Sequence, residues 1–216
     1  MKHNSNKEEP RKKRAISPLT HTELKELYRK SVHISSLALP LAYRFIFNYN
    51  KTLIITVLLP LAFIAIVFEL VRLEHRTAKR VFYRIFGIML RKHEIANLTG
   101  ASFLLTASVF TIVLFPAEIA FISLSFLALG DTFAAVFGIR FGKRKYKKSY
   151  KSFEGSIACF VACFAYAIAF SVHPFLSFIA ALAATFAESS RIPVDDNIKI
   201  PIITAVVMSI AQIAII

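Results

Sequence analysis

The sequence has no tryptophan, only two cysteines in 216 residues, and few charges for its length. Charged residues make up 19% of the chain and hydrophobic residues 56%, whereas soluble domains average about 25% and about 45–50%. Cys159 and Cys163 lie four residues apart in an apolar run. They would share one helix face, where a bridge would be strained, and two thiols are too few for a typical zinc site. We therefore expect packing cysteines and no soluble domain.

Familiar motifs of soluble enzymes are also missing. The chain contains no P-loop, GxGxxG, HExxH or GxSxG pattern. No apolar segment follows the basic start at the distance of a cleavable secretion signal. We therefore expect the first spanning helix to insert the protein itself.

Apolar residues instead fall in long blocks separated by charged segments. Spanning helices need about 17–25 mainly apolar residues and tolerate prolines such as Pro40 and Pro60. We predict a disordered basic tail over residues 1–21 and a single membrane-embedded domain over residues 22–216, which opens with an amphipathic helix capped by Thr22. The fold would be an all-α polytopic bundle of about seven spans, at 32–48, 52–71, 98–115, 117–138, 155–172, 175–188 and 200–216.

Charge is distributed unevenly about these spans. The net charge is +14, and all but two of the 27 Lys and Arg residues lie on one side, in the start of the chain to Lys30 and in segments 72–95, 139–153 and 189–199. Glu118 is the one acidic residue of 13 on the other side. The positive-inside bias places the N-terminus and the long connectors in the cytoplasm. We expect the basic segments to meet anionic head groups, not nucleic acid.

Asp131 is the most informative residue, because it lies inside an apolar segment. A carboxylate there costs on the order of 2.5–3.5 kcal/mol and indicates a functional site. The alternative is a structural carboxylate paired with a basic residue. Ala134, Ala135, Gly138 and Gly142 share its helix face, where small residues would admit a ligand phosphate or, alternatively, another helix.

Further residues of phosphate and metal chemistry lie on the same side. Six Lys and Arg residues fall between Lys143 and Lys151, and lysine suits phosphate. Asp195, Asp196 and Asn197 offer adjacent oxygens of the kind Mg²⁺ prefers. Two charged pairs, Arg29 with Lys30 and Glu69 with Arg72, lie at the mouths of the first two spans, where they could also be snorkelling anchors.

Four ordered segments stand out: Arg29-Lys30-Ser31-Val32-His33, the GDxxAxxxGxxxG run from Gly130 to Gly142, Lys151-Ser152-Phe153-Glu154-Gly155, and Asp195-Asp196-Asn197 with the Ile200-Pro201 step. Together they resemble the CTP-dependent lipid kinase family, which includes dolichol kinase, phytol kinase and CTP-dependent diacylglycerol kinase and is related to phosphatidate cytidylyltransferases. The connector FGIMLRKHEIANLTGAS resembles the diacylglycerol kinase branch.

The resemblance implies phosphorylation of a membrane lipid alcohol by CTP, with Mg²⁺ or another divalent cation as cofactor. It implies an active site on the cytoplasmic face of a bacterial cytoplasmic membrane or an endoplasmic reticulum. With the charge pattern, it gives catalytic roles to Asp131, Arg29 and Lys30; nucleotide contacts to Gly138, Gly142, Lys151, Ser152, Arg29 and Lys30; metal contacts to Asp131, Asp195, Asp196 and Asn197; and support to Glu69, Arg72 and Glu154.

Two other functions stay open. A cytidylyltransferase would make a CDP-lipid from the same nucleotide, and only its product distinguishes it. An ion-coupled transporter or flippase would use Asp131 as its coupling residue, but its charges should continue along the path to the far side. The sequence also leaves open the lipid alcohol, the choice of CTP over ATP and the oligomeric state.

Overall fold

The computed structural model describes residues 20–147 and 151–214, which are helical throughout, apart from turns and one isolated β-bridge between Lys145 and Ser152. The predicted all-α fold is confirmed for these residues. Most of the predicted tail lies outside the described residues. The α-helices are α1 His21–His33, α2 Ala38–Phe45, α3 Lys51–Glu74, α4 Arg76–Phe86, α5 Gly100–Leu114, α6 Ala117–Phe141, α7 Phe153–Ala169, α8 Pro174–Ser189 and α9 Asp196–Ile213, with short 3-10 helices at Ile34–Leu37 and Lys92–Ile95.

Three of these helices, α3, α6 and α9, are long and apolar enough to cross a membrane. Helix α6 has 25 residues and α3 has 24. At about 1.5 Å per residue each exceeds the roughly 30 Å hydrocarbon core. Helices α5, α7 and α8 are apolar but shorter. The long apolar helices indicate a membrane protein.

The first predicted span is part of a longer helical path. Helix α1, the 3-10 turn and α2 follow one another with helical backbone angles at every junction. Pro40 has no N–H to donate to Ser36, so the preceding turn tightens. The prediction of Thr22 as the cap is wrong, because Thr20 forms a capping box with Glu23.

Helix α6 is the centre of the bundle and contacts α1, α2, α5, α7, α8 and α9. Its side chains from Ile119 to Ala128 are buried, so the apolar residues of this stretch pack against the other helices of the bundle. Cys159 and Cys163 are free and buried. A Cβ at Gly130 would lie 2.9 Å from Cys159 Sγ, so the glycine lets α7 approach and the cysteines pack as expected.

The connections between helices collect at two opposite ends of the bundle. At one end, Lys51 Nζ donates to the Phe115 carbonyl at 2.6 Å, and the Arg44 guanidinium lies 4.7 Å from the Phe170 ring centroid. At the other end, Lys25 Nζ donates to the Gly87 carbonyl at 3.1 Å, and Arg91 pairs with Asp195. We call this second end, which carries segments 75–99, 142–147, 151–152 and 190–195, the basic end.

Helices α6 and α7 pack most closely at Gly155. A Cβ there would lie 2.5 Å from the Ala134 carbonyl oxygen and 3.3 Å from Gly138 Cα. We expect Gly155→Ala to force the helices apart and to lower stability by about 1–3 kcal/mol, measured by thermal unfolding in detergent. The control is Ala165→Val, which adds carbon on an exposed face of α7. Equal unfolding temperatures for the two variants would contradict this packing.

Candidate functional site

Two predicted catalytic residues that are far apart in sequence meet in the bundle. Asp131 of α6 is 7% exposed and Lys30 of α1 is 3% exposed. The Lys30 ammonium forms an ion pair with Asp131 Oδ2. His33 follows Lys30 by three residues, so both face α6. The His33 Nε2 atom lies 3.4 Å from the same oxygen, Asp131 Oδ2. Asp131 is thus a buried charge with a basic partner, an arrangement that serves catalysis or structure.

Arg29 is placed differently from its neighbour Lys30. Its guanidinium pairs with Glu26 of the same helix. Its Nε atom is buried and has no hydrogen-bond partner among the residues that the structure describes. The structure therefore brings Lys30 into contact with Asp131, while Arg29 lies beside that pair with one donor unsatisfied.

A second group of charges surrounds Lys151, which precedes α7. Lys151 Nζ lies 3.3 Å from Glu188 Oε1 and 3.3 Å from Asp196 Oδ2, and it donates to the Glu188 carbonyl. Burial alone would lower the pKa of Lys151, but the Glu188 and Asp196 carboxylates outweigh burial and raise it. Lys199 Nζ lies 2.8 Å from Asp196 Oδ1. Lys151 and Asp196 were predicted, whereas Glu188 and Lys199 were missed.

Asp195 joins the connector between α4 and α5 to the start of α9. Its Oδ1 accepts from the Asn197 backbone at 2.9 Å and side chain at 2.7 Å, which caps α9. Its Oδ2 accepts from Arg91 at 3.1 Å. Burial would lower the pKa of Arg91, but Asp195 and the nearby Asp131 and Asp196 raise it. Asp195 and Asn197 thus have a capping role in the structure, and their metal role stays a prediction.

Asp195 and Asp196 are adjacent in the chain, which joins the Arg91 pair to the pairs made by Lys151 and Lys199. Asp131 also raises the pKa of both Arg91 and Lys151, so we group it with them. We call the combined set the ion-pair layer. It contains four basic and four acidic side chains, which balance in charge. Its members are Lys30, Arg91, Asp131, Lys151, Glu188, Asp195, Asp196 and Lys199.

The predicted nucleotide-binding glycines face α7. Ser152 caps α7 by accepting from the Gly155 N–H at 3.1 Å. Its Oγ atom would lie 3.1 Å from a Cβ at Gly138 and 2.7 Å from one at Gly142. These contacts match the helix-packing alternative for the small residues, and the nucleotide role of Gly138, Gly142 and Ser152 stays a prediction. Glu154 accepts from the Lys143 and Arg144 backbone N–H groups and shapes the loop before α7.

Glu69 and Arg72 are buried in the bundle, so they are not snorkelling anchors. Arg72 is 1% exposed, and its Nε donates to Glu69 Oε2 at 2.7 Å. It also donates to the carbonyls of Glu94, at 3.2 Å, and Asn97, at 2.7 Å. The Glu94 carboxylate in turn accepts from the Arg91 N–H at 2.7 Å. This network fixes the connector that carries Arg91 into the ion-pair layer.

Within residues 20–147 and 151–214, no three His, Cys, Asp or Glu side chains cluster around a common point. Protein side chains alone therefore do not form a metal site in this part of the chain. Asp131, Asp195 and Asp196 each contact a cationic side chain instead. Glu188 Oε2 is buried without a hydrogen-bond partner in the described chain. Nucleotide-bound Mg²⁺ usually takes one or two carboxylates, with phosphates and waters completing its shell. A site of that kind would draw on one or two of these carboxylates, and the metal role of Asp131, Asp195, Asp196 and Asn197 stays a prediction.

Comparison with known proteins gives no relative: no family model, curated protein or solved structure significantly matches the chain. The ion-pair layer and the four sequence segments are therefore the features of the chain that bear on its function.

Proposed function

We propose that the chain is a membrane-embedded lipid kinase that transfers a phosphoryl group from CTP to a lipid alcohol such as diacylglycerol, a polyprenol or phytol. The observation that carries the proposal is the ion-pair layer at the basic end of an apolar bundle. Four of its eight charged residues are buried and the other four are half-buried, which is costly unless the charges are paired. An assembly of this kind, next to lipid, fits a reaction between a polyphosphate and a membrane alcohol.

Phosphoryl transfer requires mainly positioning and charge neutralisation, which this layer can supply. Without substrate, its acids and bases neutralise one another. With CTP bound, Lys30, Arg91 and Lys151 would hold phosphate oxygens, with Arg29 at the margin. Asp131 and Asp196 would then be released to hold Mg²⁺. The cation, when bound, supplies positive charge to the phosphates. The exchange of partners explains why the predicted ligands are ion-paired in the structure.

The acceptor hydroxyl must lose a proton during transfer. Kinases place a carboxylate beside that hydroxyl. Glu188 fits this role, because its Oε1 atom is held by Lys151 while its Oε2 atom has no partner among the described residues. Glu188 lies in the last turn of the apolar helix α8 and is 4% exposed, so a lipid alcohol would reach it from the bilayer side once the side chains that cover it move.

For the topology we propose seven crossings, made by the α1–α2 path and by α3, α5, α6, α7, α8 and α9, with the N-terminus cytoplasmic. The alternation of connections between two ends of the bundle supports this. The positive-inside bias makes the basic end cytoplasmic. Helices α5, α7 and α8, of 15, 17 and 16 residues, are short and require adjoining turns or local thinning to complete the crossing.

Cysteine labelling tests this orientation, since the native Cys159 and Cys163 are buried. Lys145 is exposed at the basic end and Glu118 is exposed at the opposite end. In intact cells, a membrane-impermeant maleimide should label Glu118→Cys and should label Lys145→Cys only after permeabilisation. The reverse pattern would overturn the orientation and move the proposed active site to the other face.

The reaction itself is tested with purified protein, CTP and a panel of lipid alcohols. We expect a lipid phosphate and CDP when Mg²⁺ is present, no product with excess chelator, and recovery when Mg²⁺ is restored. ATP in place of CTP provides the nucleotide comparison. Undiminished activity in chelator would remove the metal from the proposal and leave Asp131 and Asp196 without their assigned role.

A further inference from the structure

Helix α4 is strongly amphipathic. Arg76, Arg80 and Arg84 recur at steps of four and form one face, whereas Ile85 lies on the side away from it and Val81 lies at the boundary between the basic and the apolar faces. Val81 is 53% exposed and Ile85 63% exposed, so the rest of the described chain leaves this apolar face largely uncovered. A helix with one basic and one apolar exposed face is suited to an interface between water and hydrocarbon.

The position of α4 is fixed by its contact with the end of α3. His75 between them is extended, which breaks the helix and lets the chain turn. The Phe82 ring centroid lies 5.8 Å from that of Phe68 and 4.8 Å from Arg72 Cζ. Phe68 is an exposed residue six positions, or about 9 Å, before the end of α3. Helix α4 therefore packs beside the last turns of a membrane-crossing helix.

The charge on α4 itself is of one sign, with Glu74 at the end of α3 as the nearest acidic residue in the sequence. Residues 75–93 contain no Asp or Glu, and α4 itself carries Arg76, Lys79, Arg80 and Arg84. The ion-pair layer differs, because there each base contacts an acid. A ligand for α4 must therefore supply both negative charge and an apolar body. Anionic phospholipid has both, with its phosphate at the level of the arginines and its acyl chains beside Ile85.

We propose that α4 lies in the plane of the membrane interface and binds anionic phospholipid, with Arg76, Arg80 and Arg84 on the head groups and Val81 and Ile85 among the acyl chains. The surface does not depend on the reaction proposed for the ion-pair layer. It would enrich anionic lipid beside the connector that carries Arg91.

The absence of tryptophan makes a direct test available. Ile85→Trp gives the full chain a single tryptophan, on the apolar face of α4, which is excited selectively over the seven tyrosines at the red edge of its absorption. The protein is placed in nanodiscs of neutral phosphatidylcholine containing a minor fraction of brominated phosphatidylcholine or brominated phosphatidylglycerol. Bromine quenches tryptophan on contact, so quenching reports which lipid lies beside the helix. The matched control is Phe63→Trp, at an exposed position nearer the middle of α3.

We expect both lipids to quench Ile85→Trp, with phosphatidylglycerol about two-fold or more effective. The Phe63→Trp control should show no preference. Changing Arg76, Arg80 and Arg84 to Gln in the Ile85→Trp protein should abolish the preference but keep the quenching. Absence of quenching at Ile85→Trp would mean that water or protein covers this face and would overturn the proposal. Equal quenching by the two lipids would overturn its anionic selectivity.

Discussion

Asp131→Asn should lower turnover by about 10²–10³-fold, the usual cost of losing one electrostatic stabiliser in an active site. It should also destabilise the protein, because Lys30 is 3% exposed and would lose its ion-pair partner. Removing one member of a buried pair costs about 3–5 kcal/mol. From the sequence, a metal-binding carboxylate in an apolar span predicts normal folding for this variant, and a carboxylate paired with a lysine predicts lower stability. The contact with Lys30 favours lower stability.

The double variant Lys30→Met/Asp131→Asn separates catalysis from structure. Neutral residues in place of a buried ion pair are often tolerated without loss of stability. We therefore expect the double variant to regain most of the unfolding temperature and to remain inactive. Both quantities are measured on one preparation, with turnover expressed per folded molecule. Recovery of both stability and turnover would assign the pair a purely structural role.

Arg72→Met should give the largest loss of stability that we expect outside the ion-pair layer, about 3–5 kcal/mol. The variant leaves the Glu69 carboxylate buried without its guanidinium partner, and the carbonyls of Glu94 and Asn97 lose a donor. Methionine retains much of the side-chain length, so lost charge and hydrogen bonds dominate over lost volume. The measurement is thermal unfolding in the same detergent as the wild-type protein.

The control for Arg72→Met is Arg140→Met, near the exposed end of α6. Exposed substitutions away from specific contacts usually change stability by less than about 0.5 kcal/mol. A similar small effect at both positions would show that the network around Arg72 does not hold the connector. A large effect at Arg72 alone would support its role in fixing the segment that carries Arg91.

Much of the helical fold could be predicted, because long apolar blocks leave few other structures in a membrane. Helices α3, α5 and α6 fall within a few residues of the predicted spans 52–71, 98–115 and 117–138. The start of the chain was less predictable. Residues 22–33 are polar and amphipathic, so their composition predicts a helix separate from the apolar span that follows. In the structure the helical backbone continues from one to the other, because a helix does not need the same side-chain polarity along its whole length.

The candidate site was predictable only where a single residue stood out. Asp131 did so because a charge in an apolar segment is costly. The same rule would have found Glu188, the last residue of the predicted span 175–188. Arg91 had no such signal, since it is one of seven Lys and Arg residues in the 72–95 connector. Its contact with Asp195 joins residues 104 positions apart, and only the packing of the bundle brings them together.

The Gly138 and Gly142 pattern shows a different limit of sequence reasoning. Small residues on one helix face fit either a phosphate or a neighbouring helix, and the spacing is identical in both cases. In the structure, Ser152 lies against both glycines. The distinction depends on what fills the space, which the sequence of α6 alone does not specify.

The proposed reaction is tested most directly by following the α-phosphate and the γ-phosphate of CTP separately. Purified protein is incubated with Mg²⁺, diacylglycerol or a polyprenol, and CTP radiolabelled at either the γ- or the α-phosphate. We predict that the γ-label appears in a lipid phosphate while the α-label stays in CDP. Supplying phosphatidic acid as the acceptor covers the cytidylyltransferase alternative. Transfer of the α-label to lipid, or of neither label to any of these acceptors, would contradict a CTP-dependent lipid kinase.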